Sequence, residues 1–376
     1  MKSQLLPEGF RDSLPGLAGK ENRISSIFIE FMEKNGFSFV KPPLLEFENS
    51  LFFLKKNKDN LDSFRVLDPL SQKMMGLRTD ITLQVARMSC GSLLKEPRPL
   101  RLSYSGEVLK VQNNNLNMSR QFNQIGAEII GTENNFCENE IIKIIIDILE
   151  KFKIKDFFIS FMMPTLINSI SKDFKLSKSN FDLVKEKFKN KNFSGLEKVS
   201  TKLEEISSTL LSSIGEVEKK LPKISNYKFP SETQFEINNF IEIVSRLKNE
   251  FSDYKILIDP LEIDDSEYHT GISFKIYSHD FKELFSGGKY KVSQENCIGF
   301  SGFVENLATQ SKIFKSLNKR ICVPINISDK TKKNLLQKDF VIIRSIKVLN
   351  LSDFKRYAKD QKCNFYLKNN KIVELD

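Results

Sequence analysis

The segment "RQFNQIGAEIIG", Arg120 to Gly131, sets two long polar side chains into a stretch that otherwise reads as buried strand. Alternate side chains of a strand share a face, so Phe122, Gln124, Gly126, Glu128 and Ile130 point one way. Their spacing puts the Cα atoms of Gln124 and Glu128 roughly 13 Å apart. Gly126 between them has no side chain and leaves a floor on which a small polar molecule fits. Taken alone, the segment is most simply a strand whose polar face meets solvent or local hydrogen-bond partners. Other reactive residue types give less. The five cysteines (Cys90, Cys137, Cys297, Cys322, Cys363) are odd in number and unclustered, which argues against a disulfide framework and a zinc site. His269, one of two histidines, has no Cys/His cluster nearby and is assigned no chemistry. In "LIDPLEIDDSEYHTG" a strand, two acids and a Thr-Gly pair have the faint outline of a phosphate-binding loop. Such loops need small residues around the phosphate, and Tyr268 and His269 fill that space.

The elements that must hold these residues are legible in part. Ile24, Ile27, Phe28, Phe31 and Met32 recur at helical spacing over 19–36, and Gly36 ends the helix. Pro42 and Pro43 keep "FVKPPLLEF" extended. "FRVLDPLSQKMMGLR" reads as a hairpin turning at Asp68-Pro69-Leu70-Ser71, followed by a short helix in "TDITLQVARMS". "PLRLSYSGEVLKV", an asparagine-rich loop and residues 119–131 form a long antiparallel hairpin. A helix at 136–152 and the strand "DFFISFMM" follow, then a Lys/Glu/Ser-rich helical insertion at about 163–249. Strands resume at "YKILID", "EYHTGISFKIY", "FKELFSGGKY" and "CIGFSGF", before a helix near 304–317. Residues 319–376 alternate short strands and helices as a small α/β appendage.

The chain has 376 residues, 40% hydrophobic and 28% charged, as a globular protein with a sizeable core requires. No apolar run approaches a membrane span of roughly 18 residues, and "MKSQLLPEGFRDSLPG" lacks the apolar core of a signal peptide. A cytoplasmic location is expected. The net charge of +10 raises the question of a nucleic-acid partner. The lysines are dispersed among Asn, Ile and Phe, however, and read as solvated faces.

Four stretches in order carry a resemblance. "LPEGFRDSLPG", "LRTDITLQVAR", "GEVLKV…SRQFNQIGAEIIG" and "EYHTGISF" with "LFSGGKY" and "CIGFSGFVENL" resemble the signatures of histidyl-tRNA synthetases and their paralogues. The resemblance covers most of residues 1–320 outside the insertion. It implies an α+β fold: a class II aminoacyl-tRNA synthetase-like antiparallel sheet flanked by helices, over 1–318, with the appendage at 319–376. It also implies dimerisation around "FVKPPLLEF". By the same resemblance Asp80, Thr82, Gln124, Glu128 and Tyr268 match polar residues that surround bound histidine. Carboxylates suit an ammonium group and an imidazole N–H, and Gln124 donates or accepts. Gly287 and Gly288 permit close backbone approach.

The departures from the pattern lie in the ATP machinery. The arginines that hold phosphates in a working synthetase fall at Lys110, Asn306 and Asp264, and the acid after the first falls at Gln112. Lysine lacks the planar bidentate contact of arginine, and the Asp264 change reverses a charge. Lys110 and Arg120 remain as possible anion contacts; for Arg120 an ordinary cross-strand ion pair is an equal alternative. A retained amino-acid pocket without ATP machinery resembles the regulatory-subunit family of ATP phosphoribosyltransferase. This implies no catalytic residue, cofactor or metal, and feedback control by histidine. The implied partner is a short-form ATP phosphoribosyltransferase catalytic chain, bound by a homodimer within a hetero-oligomer; tRNA is not expected. The alternative is an active histidyl-tRNA synthetase, which ATP–pyrophosphate exchange separates. A non-catalytic RNA-binding module is the third reading, and predicts salt-dependent RNA binding.

Overall fold

The computed structural model describes residues 5–51, 63–111, 119–132, 137–263, 269–313 and 319–375. The chain divides into two compact units, Met1–Ser311 and Lys312–Asp376.

The first unit is built on a nine-stranded sheet in which most neighbours run antiparallel. The long hairpin pairs Leu100–Leu109 with Gln121–Ile130 over ten consecutive residues. Glu295–Phe303 then pairs with Gln121–Ile130, Glu283–Val292 with Glu295–Phe303, and His269–Ser278 with Glu283–Val292. Phe157–Met162 lies next, followed in parallel by Lys255–Asp259. Strands distant in sequence thus become neighbours, and the central ones are buried on both faces. One face packs on the helices Leu17–Lys34 and Cys137–Lys151. Ile24, Phe28 and Met32 of the first are fully buried, as are Ile141, Ile145 and Ile148 of the second. The other face carries the polar residues.

The insertion contains five helices: Leu166–Asp173, Lys178–Lys189, Thr201–Ser212, Val217–Ser225 and Ser231–Glu250. The sequence reading gave only helices here. The two-residue strand Gly215–Glu216 adds itself to the sheet edge against Lys255–Asp259, a segment too short to show a period of two. A separate three-stranded sheet combines Leu45–Phe47, Met74–Leu77 and Arg65–Leu67, the hairpin turning where Asp68 accepts from the Leu70 and Ser71 amides. This small sheet leaves Phe47, Leu67 and Met74 exposed, at 41%, 52% and 42% of full exposure.

In the second unit, Arg320–Val323 lies parallel between Val341–Arg344 and Phe365–Lys368, and Lys371–Glu374 closes the edge. Alternation along Arg320–Val323 serves two cores. Cys322 joins Phe354 and Tyr366, while Ile321 and Val323 join Leu335 and Leu367.

Candidate functional site

A cavity of about 530 Å³ opens on the polar face of the large sheet. Its floor follows one register line, with Glu128 opposite Gly299, Gly299 opposite Gly288, Gly288 opposite Ser273 and Ser273 opposite Met162. Asp80 and Thr82, at the start of the helix Thr82–Cys90, supply one wall. Leu261 to Ile263 and the end of the insertion helix Lys178–Lys189, with Phe188 and Lys189, supply another.

Asp80, Thr82, Gln124 and Glu128 meet in one hydrogen-bonded network. The Gln124 amide donates to Oδ1 of Asp80 at 3.0 Å, and its Oε1 accepts from the Ile81 N–H at 2.9 Å. The Thr82 N–H donates to the same Asp80 oxygen at 2.8 Å. Gln124 therefore braces the 80–82 turn from behind and does not line the cavity. Glu128 is 1% exposed, and its oxygens accept from the hydroxyls of Tyr104 at 3.1 Å and Tyr290 at 2.8 Å. The Tyr104 hydroxyl also lies 2.8 Å from Oγ1 of Thr82.

Burial pushes the Glu128 carboxyl up to about 8; Asp80 adds to the rise, and the hydrogen bonds from Tyr290, Thr82 and Tyr104 oppose it. Two glycines make room for this arrangement. A Cβ on Gly299 would overlap Oε2 of Glu128, and one on Gly126 would overlap the Tyr104 phenol. The open floor expected over Gly126 is therefore corrected: Tyr104, its cross-strand partner, fills that space.

The far end of the cavity carries a lysine paired with an acid. Lys275 shares the floor, two residues along its strand from Ser273, and donates to Oε1 of Glu262 at 3.1 Å. Burial pulls the Lys275 ammonium down, but Tyr277, Glu283 and Glu262 outweigh it and hold it above the ordinary lysine value. Lys191, just past the insertion helix, pairs with Asp259 and reaches Oε2 of Glu262 at 4.0 Å. His269, assigned no chemistry from the sequence, lines the same cavity beside Gly288. Sequence reasoning also passed over Tyr104, Tyr290 and Lys275. The usable signal was register: Tyr104 sits opposite Gly126, and Tyr290 two residues beyond Gly288 on its face.

The remaining candidates stand elsewhere. The Lys110 ammonium lies over the Phe303 ring, 4.9 Å from its centroid, and Asn306 donates to the Glu283 carbonyl at 2.8 Å. The Arg120 guanidinium stacks on Phe64 and Phe10 at 4.6 and 5.5 Å, and donates to the Glu8 carbonyl rather than to an acid across the hairpin. Neither Lys110 nor Arg120 lines the cavity. Tyr268, Asp264 and Gln112 lie outside the described residues.

The sequence model of the histidyl-tRNA synthetase family matches residues 9–307. The ATP phosphoribosyltransferase regulatory subunit of Paramagnetospirillum magneticum is 31% identical over 288 residues, covering 76% of both chains. That of Rhodospirillum centenum is 32% identical over 306 residues, covering 81% of this chain and 79% of its own. The chain belongs to the ATP phosphoribosyltransferase regulatory subunit family. Its members are synthetase-like in fold, and the solved structures agree. A regulatory subunit/histidyl-tRNA synthetase from Bacillus halodurans aligns with a TM-score of 0.78 at 20% identity, covering 95% of this chain and 97% of its own. Histidyl-tRNA synthetase from Nostoc sp. PCC 7120 aligns with a TM-score of 0.75 at 18% identity, covering 97% and 91%. As a member of this family, the chain is a regulatory subunit of ATP phosphoribosyltransferase.

Proposed function

We propose that this subunit binds free histidine in the cavity between Asp80, Glu128 and Lys275, and conveys its occupancy to a separate short-form ATP phosphoribosyltransferase chain in the cytoplasm. Asp80, Thr82 and Glu128, with Tyr268, contact the amino acid, while Gln124 holds the Asp80 turn in place. The observation that carries this reading is an intact polar cavity beside a disarmed nucleotide side. Lys110 rests on an aromatic ring and Asn306 is tied to a backbone carbonyl, at positions where adenylyl transfer to an amino acid needs free cations. Histidine inhibits if it binds one state of the complex better than the other. The subunit works as a homodimer within a hetero-oligomer, joined through the exposed apolar sheet of Phe47, Leu67 and Met74. Residues 1–318 form the synthetase-like part and 319–376 the appendage.

Co-purification with a short-form catalytic chain, then phosphoribosyl transfer assayed with and without histidine, tests this. A stable complex, activity that depends on the subunit, and inhibition lost in Glu128→Ala are expected. Failure to associate, or inhibition unchanged in Glu128→Ala, overturns it. Histidine-dependent ATP–pyrophosphate exchange by the isolated chain would instead favour a working synthetase.

A further inference from the structure

Amino-acid recognition needs a cation for the carboxylate, and the arginines of the synthetase pattern are replaced at Lys110, Asn306 and Asp264. The cavity holds another cation on a different element. We propose that Lys275 binds the carboxylate of the amino acid, with Glu262 occupying the same ammonium while the site is empty. This rests on the histidine-binding reading above and adds the orientation of the ligand within the site.

Position supports it first. Lys275 pairs with Ser286, and Ser286 with Ser301, so its side chain rises from the same face as Glu128 and Ser273. Three strands at about 4.8 Å and two residues at about 3.3 Å separate the Cα atoms of Glu128 and Lys275 by roughly 16 Å. Both side chains are long and close part of that interval. What remains suits one extended amino acid with a hydrogen bond of about 2.8 Å at each end.

Charge supports it second. The carboxyl groups of Asp80 and Glu128 line the cavity across the sheet from Lys275, whose ammonium is held by Glu262. A zwitterion with a basic side chain lies along that axis in one direction only: nitrogen toward the acids, carboxylate toward Lys275. Serine hydroxyls at 273, 286 and 301 line the intervening floor.

Partner exchange supports it third. A lysine on a cavity floor needs a counter-charge, and Glu262 provides one at 3.1 Å. Glu262 is not left alone when a ligand carboxylate takes over, because its other oxygen already leans on Lys191 at 4.0 Å. Lys191 follows the insertion helix Lys178–Lys189, which itself supplies Phe188 and Lys189 to the cavity. The insertion is thereby a wall of the site, and the exchange at Glu262 reports occupancy to it.

Titration calorimetry of the full chain with L-histidine and with histamine, which lacks the carboxylate, tests the proposal. Wild type is expected to prefer L-histidine by about tenfold or more, the worth of one charge-assisted hydrogen bond. Lys275→Gln should abolish that preference by weakening L-histidine alone, and Lys275→Arg should restore part of it. Histamine titrated into Lys275→Gln checks folding, since a folded variant binds it as wild type does. If wild type binds both ligands equally, or Lys275→Gln keeps the preference, the proposal is overturned while histidine binding stands. If wild type binds neither, the histidine reading itself fails.

Discussion

At the scale of residues, the site is governed by how little water reaches its acids. Burial raises Glu128 to about 8 and Glu305, which accepts from the Asn123 N–H, to about 7, both from 4.5. A carboxyl raised in the folded state holds its proton there more tightly than in the unfolded chain. The resulting stability is complete below pH 4.5 and is lost as pH rises through 7 and 8. Thermal melting is therefore expected to fall between pH 5 and 8.5, and Glu128→Gln, which is neutral throughout, should flatten the slope. Equal slopes in the two proteins would remove Glu128 as the source. A second expectation concerns Gly299. Its replacement by Ala should displace the Glu128 carboxyl, cost about 1–3 kcal/mol in chemical denaturation, and weaken histidine binding; an unchanged denaturation midpoint would show the strand yielding without strain. Alternation within one strand made Gln124 and Glu128 legible in the sequence. Tyr104, Tyr290 and Lys275 were not, because their place depends on register between strands, which a single strand's pattern does not contain.

At the scale of elements, most helices and long strands of the first unit were readable from periodicity and turn residues. The small strand Gly215–Glu216 was not, and neither was the way the insertion touches the site. Sequence periodicity shows that a helix is amphipathic but not which cavity its end adjoins. The insertion has its own brace. The helix Ser231–Glu250 begins after Pro230 with no side-chain cap of its own. Asp173, from the first insertion helix, accepts instead from the Glu232 N–H at 3.0 Å and the Thr233 N–H at 2.8 Å. This is an N-cap supplied from another helix, and Asp173→Ala should cost about 1 kcal/mol. Hydrogen exchange should then quicken over 166–250 while the strands of the sheet stay protected. Uniform quickening across the first unit would mean that the insertion does not open separately.

At the scale of the whole molecule, the exposed sheet around Phe47 and Leu67 belongs to the proposed dimer. Phe47→Lys with Leu67→Lys should yield monomers in sedimentation equilibrium, and a persistent dimer would place the interface elsewhere. The resemblance to synthetases made the architecture readable, since several motifs in order fix more than any one pattern does. The site itself is stitched from distant parts of the chain: Tyr290 meets Glu128 across 162 residues of sequence. Such pairings carry the entropy of closing long loops and form late in folding. During synthesis, a chain that has not yet reached Phe303 lacks the complete strand that closes over Glu128. The cavity proposed for histidine therefore stays incomplete on a nascent chain until Phe303 has been made, 175 residues after Glu128.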